Sequence, residues 1–220
     1  MAEVLEVLPD FDGFAVRYDP GQNPFFKAIV LENLRMIKGT DVGSKLLKLI
    51  GDARPTSRSN FPPSVNVIVE PQPITVVQSG YKREFVQGGG ADDRTLAATT
   101  DSRFSPPGCP FYKVGGSQNQ AVDTGATGNG SGTVCIMKFT NVEIMTTKGE
   151  ATKPFIVLAH ELIHSWHCLY GIRKDGPDEE LWTTGLGVYE KHAWNSRTDI
   201  DISENIFRDE FGLKRRERYF

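Results

Sequence analysis

The chain has 220 residues, a formal net charge of −3, and 39% hydrophobic and 24% charged residues, a composition ordinary for a globular protein with a sizeable core. The weakly negative charge gives no basic surface for nucleic acid, and no run of about 18 apolar residues predicts a membrane span. We therefore expect a single domain over residues 1–220, a monomer that binds no nucleic acid and spans no membrane.

The N-terminus and the cysteines bear on where the protein works. The first residues are acidic and lack the basic and apolar regions of a cleavable signal peptide. Three cysteines, Cys109, Cys135 and Cys168, are an odd number without a C-x-x-C pair, which favours reduced thiols over a disulfide framework. A single bridge such as Cys109–Cys135 is the alternative. If the protein is exported, we expect a route other than a cleavable signal.

The first fifty residues contain two predicted helices after an irregular start. Prolines and glycines interrupt residues 1–22, which we interpret as an irregular N-terminal extension with one strand at Phe14–Tyr18. Apolar residues at helical spacing then predict a helix that is capped by Asn23 and ends at Gly39. A second, shorter helix is predicted at Gly43–Ile50.

The middle of the chain is rich in β-formers, glycine and proline. Two β-rich segments, Val65–Glu70 and Ile74–Gln78, are separated by prolines, which indicate a sheet edge or a sharp turn. Residues 80–112 predict no regular structure. The glycine-rich segment 115–132 is interpreted as a surface loop rather than a phosphate cradle, because no Lys–Ser/Thr pair and no helix follow it. Residues 133–140 then predict a strand.

The next segment, Pro154–Gly171, carries a metal-binding pattern on a predicted helix that Thr152 can cap. His160 and His164 lie on one face, roughly 40° apart and about 6 Å along the axis. Their nitrogens can therefore bind one Zn²⁺ at about 2.0–2.1 Å. Glu161 lies about 100° further round, where it can act as the general base for a water at the metal. This is the H-E-x-x-H pattern of zinc metallopeptidases.

The alternative is a chance match on a core helix. Apolar residues cover most of the circumference, so we expect the helix to be largely buried, and its imidazoles and carboxylate then need compensation, which a metal supplies. All four histidines of the chain fall in or near this helix, namely His160, His164, His167 and His192. We expect a strand beside it, 133–140 or Asn141–Met145, to offer an edge to an extended peptide.

Two further elements follow the motif helix. Residues 178–194 are predicted to be partly helical and interrupted by two glycines. The last helix is capped by Asp201 or Ser203 and runs to Phe211, with Gly212 ending it.

A catalytic zinc needs a third protein ligand, and several residues are candidates. His167 is disfavoured because it lies about 10 Å from His160 along the helix axis, and we expect it to line the cleft or support a ligand. Glu204 is favoured by its place in the first turn of the last helix, two residues before the core-facing Ile206. Composition leaves the choice open among Glu179, Glu180, Glu190, His192, Asp199, Asp201 and Glu204.

The motif helix and the C-terminal segment together resemble a known family. HELIHSWH, then EELWTTGLG and SENIFRDEFGLKRRERYF, are similar to the NleD-type effector metallopeptidases and to related toxin domains at the C-termini of Rhs and VgrG proteins. The family's closing signature matches Glu204, Asn205, Arg208, Glu210, Gly212, Leu213, Arg216 and Tyr219. Lys214 stands where the family has proline, a departure at the turn after Gly212.

The resemblance implies an α+β, zincin-like fold with a small mixed sheet packed against the H-E-x-x-H helix. It implies Glu204 as the third zinc ligand beside His160 and His164, and Glu161 as the catalytic base. The expected activity is zinc-dependent endopeptidase cleavage of proteins in a target cell, host or bacterial, after delivery by a bacterial secretion system. Tyr219, Tyr189 and His192 are candidates for stabilising the oxyanion. The alternatives are a non-catalytic zinc-binding module and a zinc hydrolase acting on something other than a peptide.

Overall fold

A computed structural model describes residues 2–55, 61–71, 98–99, 132, 134–139, 141, 143–145, 151–174, 176–190 and 202–217. The strands within these ranges are β1 Val4–Val7, β2 Phe14–Tyr18, β3 Val67–Pro71, β4 Ala98–Thr99, β5 Cys135–Phe139, β6 Ile144–Met145 and β7 Ala151–Thr152. The α-helices are α1 Phe26–Lys38, α2 Asp41–Asp52, α3 Pro154–Leu169, α4 Gly176–Thr184 and α5 Glu204–Glu210, and a 3₁₀ turn spans Gly187–Tyr189.

Five strands form one mixed sheet in the order β1-β2-β3-β5-β4. The inner strands β2, β3 and β5 are parallel, and the outer strands β1 and β4 each run antiparallel to their neighbour. Val67, in the middle of this arrangement, lies opposite Phe14 on one side and Cys135 on the other. Strands β6 and β7 form a separate antiparallel pair directly before α3.

Three expectations about strands need correction. The strand predicted at Phe14–Tyr18 is confirmed as β2, but residues 1–22 are not an irregular extension, because β1 pairs with β2 within the main sheet. β3 is a central strand, and its proline, Pro71, closes the strand rather than marking an edge. β5 pairs with β4 at Lys138 and Phe139, so that end of β5 is not free to bind an extended peptide. The segment Ile74–Gln78 lies outside the described residues.

Helices cover one face of the sheet and enclose the main core. α3 packs against α1, α2, α4 and α5 and against β5. Alternate residues of β3 and β5 face these helices, as expected for strands with two different faces. The core includes Leu34, Ile37, Leu46, Ile50, Val67, Val69, Met137, Phe139, Leu158, Leu162, Ile206 and Phe207. Burying each such side chain contributes about 1.5–3 kcal/mol. Because these side chains surround α3, apolar contacts hold the helix on nearly all sides.

The helix boundaries follow local signals with small shifts. α1 begins at Phe26 rather than directly after Asn23, and Gly39 is its C-cap as predicted. α2 begins earlier than predicted because the Thr40 hydroxyl caps it by accepting from Gly43 N. Lys153, and not Thr152, occupies the N-cap position of α3, and no side chain caps the helix there.

The structure also bears on the cysteines and on the expected absence of a membrane span. Cys135 and Cys168 are buried thiols that form no disulfide, and Cys109 lies outside the described residues. Of the helices described, none is both long and apolar enough to cross a membrane. The single-domain organisation stays a prediction.

We expect Gly43→Ala to destabilise the fold, although alanine favours a helix by about 1 kcal/mol over glycine. An added Cβ would lie 1.9 Å from the Ile37 carbonyl oxygen, and a backbone atom cannot move aside as a side chain can. Overpacking of this kind costs roughly 1–3 kcal/mol. The urea midpoint should fall for Gly43→Ala and stay nearly unchanged for Lys48→Ala, whose exposed ion pair contributes little. A raised midpoint for Gly43→Ala would contradict this close approach.

Candidate metal centre

The candidate centre is built on α3, where every residue from Phe155 to Leu169 is buried. The motif residues are almost inaccessible, with exposed fractions of 7% for His160, 3% for Glu161 and 3% for His164. Polar groups at such positions cost kilocalories unless they are paired. The elements that pack on α3 must therefore bring partners to them.

The two motif histidines turn the same nitrogen toward a shared point. His160 Nε2 lies 3.1 Å from His164 Nε2, and Glu180 Oε2 from α4 lies 3.3 Å from each of these nitrogens. Glu180 Oε2 is buried and makes no hydrogen bond within the described part of the chain. Two imidazole nitrogens and one carboxylate oxygen thus converge on one point.

These three atoms fit a zinc ion. Atoms spaced 3.1–3.3 Å apart lie on a circle of radius about 1.9 Å, so an ion at the 2.0–2.2 Å typical of zinc contacts all three. Burial lowers the pKa of His164, but the carboxylates of Glu180 and Glu179 outweigh it and hold that pKa well above its usual value. The pocket therefore favours a positive charge at this point. The Glu180 side chain is 22% exposed, although its Oε2 atom is buried.

Glu204 does not join this group, contrary to the assignment carried over from the family. Its Oε2 lies 2.9 Å from His160 Nδ1, the nitrogen on the other side of the ring. Its remaining capacity is taken by Arg208 Nε at 2.7 Å and Arg216 at 2.9 Å. Burial raises the pKa of Glu204, but Arg216, His160 and Arg208 outweigh it and hold the pKa well below its usual value.

The geometry therefore favours Glu180 as the third ligand and gives Glu204 a different task. A carboxylate only accepts hydrogen bonds, so Glu204 requires the proton of His160 to be on Nδ1. Nε2 is then the nitrogen of His160 that can bind a metal. Such carboxylate–histidine pairs commonly orient metal ligands.

Arg208 connects Glu204 to two other parts of the chain. Its terminal nitrogens donate to the Thr152 hydroxyl of β7 at 2.9 Å and to the Lys214 carbonyl at 3.1 Å. Thr152 thus accepts from Arg208, and it lies one residue before the N-cap position of α3. The position of His160 is thus tied to β7 and to the segment after α5.

Glu179 orients the second histidine in the same way. Its Oε1 lies 2.7 Å from His164 Nδ1, and its Oε2 accepts from the backbone nitrogen of Lys174 at 2.9 Å. Burial raises the pKa of Glu179, but the imidazoles of His167 and His164 outweigh it and hold the pKa well below its usual value. Consecutive glutamates on α4 therefore serve the two nitrogens of one ring: Glu179 faces Nδ1 and Glu180 faces Nε2.

The other residues that the sequence suggested for the site have different environments. Glu190 is exposed, whereas His167 is fully buried and bonded to Glu179. Tyr189 lies against Trp182 and the Lys174 ammonium. His192, Asp199, Asp201 and Tyr219 lie outside the described residues.

The sequence did not reveal which glutamate binds the metal and which glutamates orient the histidines. Glu179, Glu180 and Glu204 each stand in the first half of a short helix, a pattern that does not distinguish a ligand from an orienting group. Arg208, four residues after Glu204, indicates that Glu204 is an orienting group rather than a ligand. An arginine at that spacing pairs with a glutamate on the same helix face.

Comparison with known proteins adds a family and a fold. The Peptidase_M91 family model, described as "Effector protein", matches residues 17–219. The catalytic domain of Clostridium botulinum neurotoxin serotype F is similar at 15% identity and a TM-score of 0.54, over 92% of this chain and 68% of that chain. A serotype F light chain gives 13% identity and a TM-score of 0.50, over 92% and 69%. Curated proteins give no match.

The type D light chain of botulinum neurotoxin is similar at 18% identity and a TM-score of 0.49, over 80% of this chain. The chain spans only 54% of that light chain's length. At these identities the likeness to solved structures shows the fold alone. The serotype F matches, with TM-scores of 0.54 and 0.50, confirm the predicted α+β, zincin-like metallopeptidase fold.

We expect Glu180→Ala to weaken zinc binding by more than the roughly 10–100-fold typical of losing an orienting partner. Glu204→Gln should fall within that range, because its amide oxygen can still accept from His160 Nδ1. Chelator-competition titration measures both constants, with the exposed Glu190→Ala as the control. Loss of zinc from Glu204→Gln together with its retention in Glu180→Ala would instead favour Glu204 as the ligand.

Proposed function

Because the chain belongs to the Peptidase_M91 family of effector proteins, and is thus a peptidase of the effector class, we propose that it is a zinc-dependent endopeptidase. His160, His164 and Glu180 hold the metal, and Glu161 is the general base. The substrates are proteins of a target cell into which a bacterial secretion system delivers the enzyme. The family match over residues 17–219 supports the class.

The observation that carries the zinc assignment is the convergence of three ligand atoms from two helices. Both Nε2 atoms and Glu180 Oε2 lie 3.1–3.3 Å apart. Each imidazole also has a carboxylate on its opposite nitrogen, Glu204 for His160 and Glu179 for His164. An ordinary pair of core histidines would need no such arrangement on both sides of both rings.

Zinc, when bound, supplies a Lewis acid that polarises a carbonyl and lowers the pKa of water toward about 7. Glu161 follows His160 directly on the buried helix and is 3% exposed. In the proposed reaction it takes the proton of the attacking water and returns it to the leaving amine. Its burial excludes bulk water, which would otherwise weaken its electrostatic influence.

A non-catalytic zinc module and a hydrolase for other substrates are the competing functions. A purely structural site has no use for the glutamate of the motif, and Glu161 is intact. Structural zinc sites are also closed by four protein ligands. Here the described group offers three, with Glu180 partly exposed. Both observations favour an enzyme.

We expect Glu161→Gln to bind zinc as wild type does but to lose about 10²–10⁴-fold of its hydrolytic activity, the usual contribution of a general base. Zinc content is measured on the purified protein. Activity is measured as new protein N-termini that appear in lysates of eukaryotic and bacterial cells.

Asp52→Asn provides the matched control, since it makes the same carboxylate-to-amide type of change at an exposed ion pair outside the motif helix. It should cleave as wild type does. Equal cleavage by Glu161→Gln would refute the proposed base. Zinc-loaded wild type that generates no new N-termini would favour the non-catalytic module.

A further inference from the structure

One buried histidine has no part in the reaction proposed above. His167 has an exposed fraction of 0%, and its Nδ1 lies 2.8 Å from Glu179 Oε1. The same oxygen lies 2.7 Å from His164 Nδ1. One carboxylate oxygen therefore joins the second motif histidine to the third histidine of the helix.

The protonation of both rings follows from the acceptor between them. An ionised carboxylate cannot donate a hydrogen bond, so His164 and His167 must each have a proton on Nδ1. For His164, the nitrogen that remains for a metal is then Nε2, which faces His160 Nε2 and Glu180 Oε2. Glu179 thus selects the tautomer that a metal ligand requires.

His167 is itself held in a fixed orientation. Its ring lies flat on Trp182, with centroids 3.7 Å apart and an interplanar angle of 12°. Trp166 packs against it from another side, with a centroid distance of 4.7 Å. These two contacts restrict rotation of the His167 ring, which keeps Nδ1 directed at Glu179.

Glu179 has few other constraints on the oxygen that faces His164. The Lys174 backbone nitrogen binds the other oxygen, Oε2, at 2.9 Å. The Thr183 hydroxyl reaches Oε1 only at 3.4 Å. After the bond to His164 itself, the bond from His167 is the shortest of these contacts to Oε1, and it helps to keep that oxygen aimed at His164. The Thr183 hydroxyl also lies 3.1 Å from His164 Nδ1.

We propose that His167 is a positioning residue, which acts through Glu179 to fix the orientation and tautomer of the metal ligand His164. This inference rests on the proposed function, since it assumes that His164 binds zinc. It assigns the third histidine a role in the strength and geometry of metal binding without contact with the metal. A histidine that merely fills the core would stabilise the fold and leave metal binding unchanged.

The test compares three substitutions of similar size at one position. In His167→Asn the amide nitrogen reaches about the place of Nδ1 and can donate to Glu179, whereas in His167→Gln it extends beyond that place, and His167→Leu has no donor. Loss of an orienting partner costs about 10–100-fold in metal affinity. We expect that loss for His167→Gln and His167→Leu, and near wild-type affinity for His167→Asn.

Zinc dissociation constants are measured by chelator competition, and the Co²⁺-substituted proteins are compared by visible absorption, which reports ligand geometry. We expect an altered Co²⁺ spectrum for His167→Gln and His167→Leu only. Ser165→Ala is the matched control: its hydroxyl is buried on the same helix but donates to the Glu161 carbonyl, so zinc affinity and spectrum should match wild type. Because His167→Leu can fail to fold, the Asn and Gln pair carries the comparison.

A double-mutant cycle tests the route through Glu179. In a Glu179→Gln background, His167→Gln should have little further effect on zinc affinity, because the shared partner is already impaired. Full additivity would overturn the route, and equal zinc affinity of all three His167 variants and wild type would overturn the inference. Wild type that binds no zinc would instead refute the proposed function itself.

Discussion

Burial of the motif helix is the constraint on which the rest of the structure depends. α3 is enclosed from Phe155 to Leu169, yet this stretch includes three imidazoles and a carboxylate. Unpaired polar groups there would cost a large part of the free energy of unfolding, which is small in a domain of this kind. α4 and α5 avoid that loss by placing Glu179 and Glu204 against the ring nitrogens. The C-terminal helices are thus as much a part of the centre as the motif itself.

The sequence was informative where the signal is local. The H-E-x-x-H helix, the strand around Cys135–Phe139 and the glycine ends of helices depend on neighbouring residues and were predicted correctly within a few positions. The choice between Glu180 and Glu204 depends on how α4 and α5 dock on α3, which spacing along the chain does not encode. β1 was missed because four residues, two of them exposed, give too short a pattern.

The role of Glu204 illustrates why a match to a signature does not settle chemistry. Its carboxylate is bonded to Arg208 and Arg216, and withdrawing a buried carboxylate from two arginines is costly. Such a group is better suited to hold an imidazole than to bind a metal directly. Glu180 Oε2 makes no hydrogen bond among the described residues. A metal that binds Glu180 therefore need not displace an arginine from that oxygen.

The bonds from Glu204 and Arg208 also set an order for assembly during synthesis. A growing chain that has emerged only through α4 already contains His160, His164 and Glu180. It lacks the carboxylate that selects the tautomer of His160 and the arginine that links β7 to the segment after α5. The centre is therefore completed only after α5 has been synthesised and has docked on α3, so a chain that stops before Glu204 lacks the partner of His160 Nδ1.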